Sequence, residues 1–148
     1  MRKPFQHQGS DEVAARATIQ DRLDQARQRI ERFTPAEANT ALTQGAVIVD
    51  TRCGDDRHRE GFLSGAIHVP LSVLEWRCDP DSRDADGRLS DLERQIILVC
   101  NDGYSSSLAA SALRDLGFRR VGDVIGGFRG WVDAGLPVRP DSEGAGPA

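Results

Sequence analysis

The sequence predicts an α/β domain with a central, mainly parallel sheet flanked by helices and preceded by an extra N-terminal helix. Two apolar runs without polar alternation, Val47-Ile48-Val49 and Ile96-Ile97-Leu98-Val99, suit strands buried on both faces of a parallel sheet. Helical patterns alternate with these strand patterns along the chain, which is the arrangement that parallel crossovers require. The length of 148 residues, with 39% hydrophobic and 28% charged residues, suits one such domain with terminal extensions. We divide the chain into a mostly helical extension (1–33), the α/β domain (34–138) and a polar tail (139–148) expected to be disordered.

Ser10, followed by Asp11 and Glu12, has the make-up of a helix cap with acids in the first turn, and the spacing predicts a helix from about Asp11 to Phe33. Ile19, Leu23, Ala26, Ile30 and Phe33 share one stripe of that helix. The stripe packs on the body of the same chain, leaving a monomer, or pairs with a second copy as a homodimer. Thr34-Pro35 restarts a helix, since Thr caps, Pro suits the first helical position and Glu37 completes the box. That helix ends near Gly45, and the first buried strand follows, closing on Asp50-Thr51-Arg52. GDDRHREGF then contains a helical turn, Gly65 to Pro70 a short strand, and Leu71 to Arg77 a further segment.

The run from Asp79 to Arg88, DPDSRDADGR, is rich in turn formers and is expected to be an exposed, mobile loop. Ile96 to Cys100 is the strongest strand signal. Ser105 to Leu116 reads as a helix stopped by Gly117, and Val121 to Ile125 as another strand. Gly126-Gly127 opens a last helix carrying Phe128 and Trp131.

A formal net charge of -4 and scattered basic residues argue against a general nucleic-acid binder. No apolar run approaches membrane-spanning length, and MRKPFQHQGSDE lacks the apolar segment of a secretory signal, so the expected location is the cytoplasm. Cys53, Cys78 and Cys100 are odd in number and widely spaced, which suggests neither a disulfide framework nor a zinc site. They are expected to be free thiols.

In parallel sheets ligands bind where strands end and loops pass into helices. Cys100-Asn101-Asp102 and Asp50-Thr51-Arg52 both lie at such ends. In VCNDGYSSS a thiol closes a buried strand, one glycine allows a tight turn, and Ser105, Ser106 and Ser107 begin a helix. The N–H groups of such a turn and of a helix start lack internal partners and form an anion-binding bowl. A thiolate in that bowl gains from the donors and the helix dipole, which move a Cys pKa from about 8.5 towards roughly 3.5–7.5. The pattern alone leaves two readings open: Cys100 is a nucleophile, or it is a small residue ending a strand while the serines cap a helix. Tyr104 is expected at the rim, and Asp102 places negative charge near the mouth.

At this point three elements together resemble the rhodanese family of sulfurtransferases, over about Thr34 to Val138. They are VIVDTR with GFLSGAIHVP downstream, CNDGYSS at Cys100 to Ser106, and GGFRGWVDAGLPV at Gly126 to Val138. The resemblance implies a single rhodanese-like domain in which Cys100 takes a sulfane sulfur as a persulfide. It then passes that sulfur to a thiol, cyanide or protein acceptor, with no cofactor and no metal. It makes Asn101, Asp102, Gly103, Tyr104, Ser105 and Ser106 the substrate cradle. Asp50 and Arg52 become supporting residues, Arg52 holding loop carbonyls or pairing with Asp50 or another acid. Phe62 and Ser64 stand where the family often has His and Pro, which bears on packing. Ser105 stands where many members have Arg, which bears on affinity for thiosulfate.

Two other classes compete. Related phosphatases carry a loop one residue longer with an Arg six positions after the Cys, where this chain has Ser106, so phosphatase or arsenate reductase chemistry lacks its charge clamp. A non-catalytic binding or regulatory module is the other alternative. Cys53 is a candidate resolving or redox-sensing thiol, Cys78 is expected to be inert, and His58 and His68 are expected to be structural or solvated.

Overall fold

Thr18 starts the first helix of the computed structural model, which describes residues 16–140. Its hydroxyl accepts from the Asp21 N–H while the Asp21 carboxylate accepts from the Thr18 N–H, a reciprocal cap that fixes helix α1 as Ile19–Gln28. The proposed cap at Ser10 lies outside the described residues. The expected helix to Phe33 is corrected: α1 closes at Arg29, and Glu31–Phe33 form strand β1. Ile30 and Phe33 do turn inward, but Phe33 does so from a strand. Pairing with an open sheet edge overrides the helical spacing here.

Thr34 caps α2 (Pro35–Thr43) through the expected box with Glu37. Strand β2 (Val47–Asp50) and α3 (Gly54–Glu60) follow, then the two-residue strands β3 (Phe62–Leu63) and β4 (Ile67–His68). A 3₁₀ turn at Leu71–Val73 leads into α4 (Leu74–Cys78). The second half comprises β5 (Ile96–Val99), α5 (Ser105–Asp115), β6 (Val121–Val124), α6 (Gly127–Asp133) and β7 (Val138–Arg139).

Five strands make one parallel sheet in the order β1-β6-β5-β2-β4, with Ile48 beside Ile97 and Ile97 beside Gly122. β3 pairs antiparallel with β7, joining Leu63 to Val138. Arg139 is therefore paired with Phe62, which corrects the expectation that the tail is disordered from residue 139. Residues 141–148 lie outside the described residues.

The sheet alternates side chains between two cores, as strand geometry demands. Val49, Ile96 and Leu98 point to Leu74, Leu89, Leu113 and Phe118 on one face. Ile48, Ile97, Val99 and Val124 point to Ala38, Phe128 and Trp131 on the other. Leu23 and Ala26 are buried and α1 packs along α5, while Ile19 from the same stripe is exposed. Among the described residues no helix is long and apolar enough to cross a membrane.

The segment from Asp79 to Arg88 is held in place. The buried Asp86 carboxylate accepts from the Arg88 N–H at 2.9 Å, from the Arg88 guanidinium at 2.7 Å and from Arg77 at 3.3 Å. Hydrogen bonding to Arg88 holds its carboxyl down at about 2. Asp86 is thus the anchor of a run whose composition suggests a mobile loop. Ser82 of this segment lies beside Leu116 at the far end of α5, so the segment does not cover the Cys100 end.

Because the folded Asp86 carboxyl titrates below its unfolded value of about 3.9, its contribution is present above that value and is lost as pH falls through about 2. Urea midpoints measured across that acid range should decline less steeply for Asp86→Asn than for the unaltered protein.

Candidate active site

The carboxyl ends of β2 and β5 lie side by side, with Asp50 opposite Val99, and the loops leaving them frame an open cleft of about 340 Å³. Cys100 follows the last residue of β5 and is 6% exposed, with Asn101 and Ser105 beside it in the cleft wall. Val99 and Ile97 anchor the strand in the core, so the thiol's position is set by packing that the loop cannot alter.

From Cys100 the chain bends inward. Gly103 adopts φ +88°, and a Cβ there would stand 2.8 Å from the Gly126 nitrogen, so the turn needs glycine on both conformational and steric grounds. The result directs two N–H groups at the sulfur, Gly103 at 3.2 Å and Ser106 at 3.4 Å, with the Ser106 hydroxyl oxygen 3.2 Å from Sγ. Burial pushes the Cys100 thiol up. The polar contacts around it, the Gly103 and Ser106 N–H groups among them, outweigh that burial, so the thiol lies below its ordinary range.

Turning N–H groups inward turns carbonyls outward. The Cys100 and Asn101 carbonyls accept from the N–H groups of Phe128 and Arg129 in the first turn of α6, at 2.8 and 3.2 Å. Gly127 permits that approach, since a Cβ there would stand 2.5 Å from the Cys100 oxygen. The Gly103 carbonyl accepts from Arg27 at 2.8 Å and Arg32 at 3.2 Å. Sequence reasoning missed both arginines, because they lie in the stretch read as a separate extension.

Beneath the loop sits a third missed residue, Asp123 of β6, which is fully buried. Its carboxylate accepts from Arg32 Nε at 2.9 Å, from the Ser106 hydroxyl at 2.8 Å and from the Ser107 hydroxyl at 2.7 Å.

Of the two roles open to Arg52, the structure selects the acid. Its guanidinium pairs with Asp50 at 2.8 Å, donates to the Gly61 carbonyl at 2.8 Å and stacks 3.6 Å from the Phe128 ring centre. It touches no carbonyl of the Cys100 loop among its hydrogen bonds. Asp50 also accepts from Arg57, whose guanidinium lies over Phe62, so that departure from the family pattern supplies packing.

Asn101 donates to Asp56 at 3.1 Å, which holds that carboxyl below its ordinary range. Asp102 is paired with Arg129 at 2.7 Å, and Arg129 also binds Glu60, so the acid at the mouth carries its own counter-charge. Tyr104 is exposed at the rim, with Arg27 5.7 Å from its ring centre.

The remaining candidates separate clearly. Cys53 is exposed on the same cleft, and Cys78 is buried and pushed up to about 12 by burial. All three cysteines are free. His68 is bonded to the Arg52 carbonyl and lowered by burial, and His58 packs edge-on against Phe62. Among the described residues no cluster of His, Cys, Asp and Glu could hold a metal ion.

Residues 34–134 match the model of the rhodanese-like domain. The chain belongs to that family. It is 34% identical over 107 residues to the thiosulfate sulfurtransferase GlpE of Haemophilus influenzae, covering 72% of this chain and 91% of the relative. It is 36% identical over 103 residues to the GlpE of Stutzerimonas stutzeri, covering 68% and 84%. A solved Rhodopseudomonas palustris protein, RPA3614, whose description reads "Possible Tyrosine Phosphatase", superposes with a TM-score of 0.77 at 32% identity, covering 83% of this chain and 95% of that one. The chain is thus a rhodanese sulfurtransferase, with the parallel sheet and N-terminal helix described above.

Within this rhodanese-like site, Arg32 and Arg27 share a carbonyl but differ in consequence. Arg32→Ala leaves Asp123 buried without its cation and should cost about 3 kcal/mol. Arg27→Ala leaves the Gly103 carbonyl still held by Arg32 and should cost about 1 kcal/mol. Denaturant unfolding of the two variants measures the difference.

Proposed function

We propose that the protein moves a sulfane sulfur from a small donor, such as thiosulfate or a persulfide, to a thiol, cyanide or protein acceptor through a persulfide on Cys100. The observation that carries this reading is the Cys100 sulfur at the floor of an open cleft with the Gly103 and Ser106 N–H groups on it. Those donors suit a thiolate, and they equally suit the negative charge of a persulfide.

In the first half-reaction Cys100 Sγ attacks the donor's outer sulfur. The new S–S bond forms as the donor's bond to that sulfur breaks, and sulfite or a thiolate leaves with the electron pair. In the second, the acceptor's thiolate or cyanide carbon attacks the outer sulfur, and Sγ departs as thiolate. No proton need be held by a separate base once Cys100 is ionised, which agrees with His58 and His68 being engaged elsewhere.

Charge around the cleft bears on the donor. Arg52 is spent on Asp50, Arg27 and Arg32 lie behind the loop, and Arg129 is spent on Asp102 and Glu60. A dianion such as thiosulfate therefore meets amide and hydroxyl dipoles instead of a guanidinium. Lightly charged persulfide donors fit this cleft better. The GlpE relatives named above are called thiosulfate sulfurtransferases, which supports thiosulfate as one usable donor.

Phosphatase chemistry is the second reading, favoured by the description of RPA3614. Against it, Ser106 occupies the place of the phosphate-gripping Arg, and its hydroxyl is bonded to Asp123.

Incubation with thiosulfate or an organic persulfide, desalting and intact mass measurement should give a gain of one sulfur atom. The gain should be absent in Cys100→Ser and reversed by cyanide or dithiothreitol. No adduct from any sulfane donor would favour a binding module, and Cys100-dependent turnover of an aryl phosphate would favour the phosphatase. Ser105→Arg, which adds a cation at the rim, should lower the thiosulfate KM roughly tenfold, the worth of one charge-assisted hydrogen bond.

A further inference from the structure

The Ser106 hydroxyl has one proton and two neighbours that want it. Its oxygen lies 3.2 Å from Cys100 Sγ and 2.8 Å from Asp123 Oδ2. A carboxylate paired with a guanidinium accepts, and Arg32 contacts both Asp123 oxygens, at 2.9 and 3.3 Å. The Ser106 proton therefore points to Asp123, and the oxygen's lone pair is what faces the sulfur. Cys100 can donate its own proton to that lone pair as a thiol, whereas a thiolate receives nothing from it.

We propose that Asp123 is a positioning residue that decides the protonation of Cys100, by holding the single Ser106 proton away from the sulfur. This rests on the reading of Cys100 as the reactive thiol. The charged and titratable groups facing Asp123 are Arg32 from β1 and, through Ser106, Cys100 at the end of β5. Ser107 from α5 adds a neutral donor, itself bonded to Arg27 of α1. Arg32 pairs with the carboxylate and spends its remaining hydrogen bond on the Gly103 carbonyl, so the hydroxyl is the link between acid and thiol.

The arrangement opposes the amides. Gly103 and Ser106 N–H groups favour the anion, and the Asp123-oriented hydroxyl favours the thiol. The balance leaves Cys100 activated, but less than the bowl alone would make it.

The test is the pH dependence of iodoacetamide alkylation of the full chain, read by mass on the Cys100 peptide so that Cys53 does not contribute. In Asp123→Asn the amide nitrogen facing the serines donates to Ser106, which frees the hydroxyl proton for the sulfur. The midpoint should fall by about one pH unit, a roughly tenfold larger thiolate fraction below it. On a Ser106→Ala background the same substitution should shift the midpoint less than half as far. Ser106→Ala alone, a small change in a well-packed position, should leave the midpoint unchanged or lower it, and it decides the matter should Asp123→Asn not fold. A rise in Ser106→Ala overturns the proposal, as does an Asp123→Asn shift that is absent or independent of Ser106. Alkylation uses no sulfur donor, so a failure of sulfur transfer and a failure of this proposal are told apart.

Discussion

A loop that turns its N–H groups onto one sulfur must turn its carbonyls outward, and everything around this site follows from where those carbonyls go. Two of them are taken by the first turn of α6, whose N–H groups need acceptors because a helix start has none of its own. The third, on Gly103, meets two guanidiniums from α1 and β1. The loop is therefore clamped between the C-terminal signature helix and the N-terminal stretch. Each clamp also depends on core packing: Phe128 and Trp131 seat α6, and Phe33 seats β1.

The same arginines settle the site's electrostatics. A guanidinium that caps a carbonyl and neutralises a buried acid is no longer available to a ligand, and burying it without that acid would be costly. Arg32 is used in this way by Asp123, and Arg52 by Asp50. What remains to act on Cys100 is a set of neutral dipoles, fixed in direction by the turn. Such dipoles need little reorganisation as charge develops on sulfur. They distinguish a soft sulfur anion from a hard oxyanion only weakly, so selectivity must come from the shape and apolar lining of the cleft, with Pro70 and Leu71 at its wall.

Much of this was legible in the sequence. The parallel sheet followed from Val47-Ile48-Val49 and Ile96 to Val99, and the Cys100 loop from a thiol, a glycine and three serines in order. What escaped was pairing. Apolar spacing from Ile19 to Phe33 fits a helix, but the reciprocal Thr18–Asp21 cap and the open edge of β6 divide that stretch into α1 and β1. The Asp79–Arg88 run carries every mark of a free loop, and one buried carboxylate at Asp86 gathers it. For β1 the partner strand is far away in the sequence, so no window of neighbouring residues contains it; for Asp86 the partners Arg88 and Arg77 are close by, but composition does not show that they converge on one carboxylate.

Asp123 shows how far a single sequence can be pushed. Within Val121-Gly122-Asp123-Val124 a carboxylate interrupts a strand that is buried throughout, and a buried charge must be paired. That much is readable without coordinates. The partner is not, because Arg32 lies 91 residues away and reaches Asp123 only once β1 has docked on β6. Docking of that edge strand thus brings at once the second guanidinium on the Gly103 carbonyl and the cation beside the acid that orients the Ser106 hydroxyl. The groups that make the loop rigid are the groups that set the charge on its sulfur, so a change made at Arg32 or Asp123 for the sake of one alters the other.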